Sequence, residues 1–233
     1  MPHSIDARAA DALARVSAIG PYFAVQLGAD DGPWRQFGEL LDPAVLRENV
    51  DGVRRVLSER TRIPVADLDL RACASTHFLG LASRLLAPAL GAAALTGHVP
   101  LIEVDGLRWQ RVGGGPVPIA VVAAREGERN GPVSPPIGQL AAAFAATFAL
   151  SPHVLWGNVA SALNGAATML LRSAEPLLVD PVAIVRTSLA QQPLLGRASY
   201  ESGSFRRNNC CLFYKIPGGG MCGDCVLISG EEL

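Results

Sequence analysis

Apolar residues along this chain recur mostly at helical spacing. Ala9, Leu13 and Val16 share one face of a helix predicted over residues 4–19, with Ser4 as its N-cap and Gly20-Pro21 as its stop. Asp42-Pro43 opens a second helix running to about Arg60, since a capping carboxylate followed by proline at the first helical position is a strong start signal. Val45, Leu46, Val53, Val56 and Leu57 mark its inner face, and Glu48, Arg54, Arg55, Glu59 and Arg60 its solvated one. Residues 75–86 read as a third helix closed by Pro88, with the alanine-rich stretch 87–96 continuing as helix or turn. The same start signal returns at Ser151-Pro152 and Asp180-Pro181, predicting helices over 152–173 and 181–190. Trp156, Val159, Leu163, Ala166 and Leu170 keep helical spacing and mark a core face.

Strand signals are fewer. Residues 22–27 read as a short strand, and Trp34 and Phe37 as anchors on the core. Residues 99–104, Asp105-Gly106 and 107–112 carry a hairpin signal, to which 119–123 adds a third strand. Gly113–Pro116 reads as a turn, because no helix start or Lys-Ser/Thr follows as a phosphate loop requires. Residues 125–136 read as a polar surface loop, and 191–203 as a linker to the tail. The expected fold class is α+β and mostly helical: a helical domain over residues 1–200 with a small β-hairpin or sheet, then a C-terminal module over 201–233.

Composition narrows the choices of partner. The chain has 233 residues, 49% of them hydrophobic and 18% charged, with a formal net charge of −1. That balance exerts no global pull on nucleic acid, so none is expected as a partner. The N-terminal residues include acidic side chains and lack an apolar run, so no secretory signal is read there and a cytoplasmic location is expected. Between Asn130 and Leu171 there is no Asp, Glu, Lys or Arg, and residues 152–171 reach the length of a membrane span. Asn158, Ser161, Asn164 and Thr168 argue against a span and for a buried helical hairpin, with peripheral membrane association left open. Asn158 and Asn164 need partners if buried, and helix packing is the expected role.

Four of the five cysteines lie in the tail, as Cys210-Cys211, ten residues, then Cys222-Gly-Asp-Cys225. Neighbouring cysteines in an extended strand point to opposite sides, which suits two metal atoms better than one. Four thiolates are the usual protein ligand set of a [2Fe–2S] cluster. The intervening Leu212, Phe213, Tyr214 and Ile216 read as a short apolar strand. Pro217 and Gly218–Gly220 form a turn in which glycine permits positive φ and successive amides can face an anionic group. The spacing favours an iron–sulfur cluster and leaves a structural zinc site, a disulfide framework and a C-x-x-C redox pair open. Cys73 reads as a small buried hydrophobe, and His77 as a core or cap histidine.

The cysteine run, with Arg206-Arg207 before it and Tyr214-Lys215 and Gly218–Gly220 inside it, resembles the signature of the FhuF-type ferric siderophore reductases. Leu155-Trp156-Gly157-Asn158 and the segment 75–88 resemble the upstream part of that family. The resemblance implies a [2Fe–2S] cluster on Cys210, Cys211, Cys222 and Cys225. It also implies one-electron reduction of a ferric siderophore, with release of Fe(II) in the cytoplasm. Arg206, Arg207 and Lys215 then become candidates for steering an acidic electron donor or an anionic ferric complex, or for balancing the charge of cluster and thiolates. No GxGxxG fingerprint is present, so the electron is expected from a ferredoxin or a flavin-dependent reductase rather than from directly bound NAD(P)H. The alternatives are a non-enzymatic iron–sulfur electron carrier or redox sensor, and a zinc-stapled binding module.

Overall fold

The computed structural model describes residues 4–29, 32–127, 133–201 and 203–227. Its helices are α1 (Ala7–Ser17), α2 (Pro43–Thr61), α3 (Leu70–Thr96), α4 (Pro135–Phe148), α5 (Pro152–Arg172) and α6 (Pro181–Leu189). Three open as the sequence predicts: Asp42 caps α2, Ser151 caps α5 and Asp180 caps α6, each accepting from a backbone amide of the first turn. The first helix starts later than expected. Asp6, not Ser4, takes the amides of Arg8 and Ala9.

The largest departure is α3. Asp69 caps it through the amide of Ala72, and it runs unbroken through Pro88 to Thr96. An interior proline costs a helix about 3 kcal/mol. Here Phe78, Leu81, Leu86, Leu90 and Leu95 are all buried, and each such side chain contributes about 1.5–3 kcal/mol when fully buried. Packing on several sides therefore outweighs the proline. Helix α3 is the axis of the molecule, with α1, α2, α4, α5 and α6 all packed against it, α5 most extensively. Helices α3 and α5 are long and apolar enough to cross a membrane by length and composition, and 78% and 56% of their apolar windows are buried in this fold.

The strands are short: β1 (Gln26–Leu27), β2 (Arg35–Gln36), β3 (Val99–Leu101), β4 (Leu107–Trp109), β5 (Ile119–Val121), β6 (Arg125–Gly127), β7 (Ala198–Glu201) and β8 (Ser204–Arg207). One sheet has the order β1-β5-β4-β2, with β1 parallel to β5 and the other pairs antiparallel. The hairpin expected across Asp105-Gly106 does not form. Strand β3 pairs with β6 instead, and β6 lies within the stretch read as a loop. Gly106 sits in a 3-10 turn, where a Cβ would lie 2.5 Å from the carbonyl oxygen of Ala123. That glycine serves a close backbone approach, not a hairpin turn.

The stretch read as a linker is also structured. Strands β7 and β8 form an antiparallel hairpin that packs on α5 and α6. It crosses the division placed after residue 200, and Ala198 and Ile216 join the same hydrophobic core as α3 and α5.

Candidate metal centre

Strand β8 delivers the chain from Arg207 to the cysteines across the first half of α5. A Cβ at Gly157 would collide with Asn209 Oδ1 and come within 2.8 Å of Arg207 Nη2. Glycine at that position lets the segment entering the cysteine run lie directly against the helix. Asn158, the next residue, is fully buried and donates Nδ2 to the carbonyl of Ser75 at 3.0 Å and to its Oγ at 2.9 Å. Ser75 in turn donates its hydroxyl to the carbonyl of Cys211 at 2.7 Å. The Trp156-Gly157-Asn158 stretch is thus the seat of the cysteine segment. Asn158 has the packing role expected of it, and it also reaches the cysteines through one intermediate.

Further along α5 the polar residues keep the same office. Asn164 Oδ1 accepts from the Tyr200 hydroxyl of β7 at 2.9 Å, and Thr168 bonds back to the Asn164 carbonyl.

Beyond Cys211 the backbone turns rather than extending. Leu212 is left-handed (φ 69°), and residues Phe213–Lys215 form a 3-10 turn where a strand was expected. This turn carries the Leu212 amide back to Cys210 Sγ at 3.3 Å, and the Leu227 amide reaches Cys225 Sγ at 3.4 Å. Gly218 and Gly220 take the positive φ expected of them, 75° and 67°. Cys211 Sγ lies 3.6 Å from Cys222 Sγ, so the two halves of the motif meet. Two thiolates bound to one tetrahedral metal at about 2.3 Å are about 3.8 Å apart. The 3.6 Å between Cys211 and Cys222 is compatible with that spacing. Vicinal cysteines divided between two metal atoms suit a two-iron cluster. Among the described residues no three His, Cys, Asp or Glu side chains converge on a single ion.

The electrostatics follow from burial. The hydrogen bond between Cys211 and Cys222 holds the Cys211 thiol below its ordinary range and pushes that of Cys222 up. Burial pushes the Cys210 thiol up, against the amide of Leu212 and the Arg207 charge. Burial also pushes the Asp224 carboxyl up.

The three candidate cations part company. Arg207 is 1% exposed and lies inside, so it cannot meet an external partner; a buried guanidinium can only act on the interior. Arg206, one residue away in the strand, is partly exposed because alternate strand residues face opposite sides. Lys215 lies at the surface, 3.4 Å from Asp69 at the start of α3. Cys73 is fully buried in α3, apart from the tail cysteines in sequence and unbonded to them. His77 is a core residue against Phe144, with Nε2 lacking a hydrogen-bond partner among the described residues. Ser75 carried no chemical signal in sequence, as a lone serine in an apolar helix suggests only packing.

Residues 207–227 match the family model of the FhuF 2Fe-2S C-terminal domain. No curated protein matches the chain. The matched stretch begins at the buried arginine, includes all four tail cysteines and ends at the amide directed to Cys225. The cysteine segment is therefore similar to the FhuF 2Fe-2S C-terminal domain, and the cofactor that this match indicates is a [2Fe–2S] cluster.

Proposed function

We propose that the chain is a ferric siderophore reductase in which Cys210, Cys211, Cys222 and Cys225 hold the [2Fe–2S] cluster. The meeting of the two cysteine pairs within the matched segment, with Cys211 and Cys222 3.6 Å apart, carries this reading. When bound, such a cluster supplies one electron at a time. One electron converts chelated Fe(III) to Fe(II), whose lower charge density weakens its hold on the hard oxygen ligands of a siderophore. The metal then leaves without any obligatory acid–base residue. The chain's own residues have three tasks: to hold the thiolates, to set the potential, and to admit the chelate or the donor to the exposed side of the cysteine loop.

Arg206, which is partly exposed, and Lys215, which is at the surface, supply positive charge for an anionic ferric complex or an acidic donor. The electron comes from a ferredoxin or a flavin-dependent reductase, and Fe(II) is released in the cytoplasm. The test is anaerobic stopped-flow mixing of the reduced protein with ferric siderophores and, separately, with unrelated ferric chelates. Siderophores are expected to reoxidise the protein much faster. Equal rates would leave a non-specific electron carrier and overturn the assignment.

A further inference from the structure

Two arginines are buried among the described residues, and their surroundings differ. Arg84, on α3, donates Nε to the carbonyl of Val117 at 2.8 Å, Nη1 to that of Pro21 at 2.6 Å, and Nη2 to that of Ala24. Its charge is spread over three carbonyl dipoles that tie three segments to the core. Arg207 has no such set. Its Nε has no hydrogen-bond partner among the described residues, and its Nη2 lies at the limit of bonding, 3.5 Å from the carbonyl of Val154.

A guanidinium stays charged in a protein. A buried charge without hydrogen-bonding partners costs several kcal/mol unless an opposite charge lies beside it. The side chain is nonetheless accommodated: the absence of a Cβ at Gly157 clears the place where Nη2 lies. The backbone amide of Arg207 donates to the carbonyl of Asp224, between Cys222 and Cys225, at 3.3 Å, which ties the residue to the second half of the cysteine run. The thiolates of Cys211, Cys222 and Cys210 and the Asp224 carboxylate are the nearby groups that favour its charge.

We propose that Arg207 is the built-in counter-charge of the iron–sulfur cluster and that it raises the cluster's reduction potential. Reduction adds one electron, and so one negative charge, beside a fixed cation in a medium where Coulomb energies are only weakly screened. Arg207 therefore favours the reduced state. It is a positioning residue for electron transfer rather than a catalytic one, because it lies inside and touches neither donor nor chelate. This inference rests on the [2Fe–2S] cofactor and not on the identity of the electron acceptor.

The experiment is an EPR-monitored potentiometric titration of the purified full chain with its cluster, without any siderophore. Arg207→Met removes the charge and keeps most of the volume. It is expected to lower the equilibrium constant for reduction at least tenfold, which is about 59 mV for a one-electron couple. Arg207→Lys is expected to stay within about threefold of wild type, and so is Arg206→Gln, on the opposite face of the strand. A wild-type potential in Arg207→Met, or an equal fall in Arg206→Gln, overturns the proposal. Should Arg207→Met fail to take up the cluster, Arg207→Lys decides. Uptake restored by lysine means that the site needs the charge, and failure of both variants assigns Arg207 to folding alone. A siderophore assay that fails while the potential shifts would sink the reductase reading and leave this one standing.

Discussion

Ser75 shows how one hydroxyl can couple two helices to a loop. It accepts from Asn158 on α5 and donates to the carbonyl of Cys211, all of it away from water. Ser75→Ala strands that carbonyl and removes one of the two acceptors of Asn158. A buried polar group left without its partner costs about 1–3 kcal/mol. Urea denaturation of the variant should show a loss in that range. A change under 0.5 kcal/mol would mean that the bond is made in solution by water. Two residues further along α3, His77 makes a separate prediction. Burial holds its imidazole down at about 4, below the usual 6.5. The folded state therefore binds the proton less tightly than the unfolded chain. The associated stability is complete above pH 6.5 and is lost as pH falls toward 4. Between pH 7 and pH 5 this amounts to about 2 kcal/mol. The loss should be absent from His77→Gln, so that wild type and variant, each measured by denaturation at both pH values, differ by that amount.

Helix α3 tests the same balance between local preference and packing at a larger scale. Gly80 and Gly91 lie in one helix, yet nothing would meet a Cβ at Gly80, while one at Gly91 would lie 2.9 Å from Val16 Cγ1 on α1. Gly80→Ala should therefore stabilise the protein by about 0.5–1 kcal/mol through helix propensity. Gly91→Ala should destabilise it by about 1–3 kcal/mol, because overpacking a core costs more than propensity returns. Thermal melts of the two variants should move in opposite directions. Shifts of the same sign would show that α1 can yield. The same contrast explains what was legible in sequence. The starts of α2, α5 and α6 were readable because a cap and a proline are neighbours. The course of α3 through Pro88 was not, because the contacts that overrule the proline come from α1, α4 and α5. The pairing of β3 with β6 escaped for a related reason: three-residue strands carry almost no periodicity, and their partners are distant in sequence. The cysteine spacing was legible as chemistry. The burial of Arg207 was not, since a charged residue in an alternating strand gives no sign of which face is covered.

At the scale of the molecule, the helical body and the cysteine segment depend on the cluster to different degrees. Leu13 on α1, Phe78 and Leu90 on α3, and Val159 and Leu163 on α5 are fully buried, and α1 and α5 each pack on α3. The tail has a thinner hold. Ile216 is buried, Leu212 and Phe213 only partly so, and Tyr214, Met221, Val226 and Leu227 are exposed. Its other attachments among the described residues include the Ser75 bond, the Lys215–Asp69 pair, the 3-10 turn against α3 and the β7–β8 hairpin on α5. With the ligand set and the counter-charge proposed above, removing the cluster by anaerobic iron chelation takes away the bonds that join Cys210-Cys211 to Cys222–Cys225, and it leaves Arg207 buried without its opposite charge. Ligand binding to the folded state alone stabilises by mass action, so its removal should lower the melting temperature by several degrees. Amide exchange should locate the loss. Protection is expected to fall at least tenfold across residues 207–227 while α3 and α5 keep theirs, because local opening is easiest where apolar burial is least. A uniform fall over the whole chain would mean instead that the cluster is a keystone of the helical body, and that the core around α3 cannot stand without it.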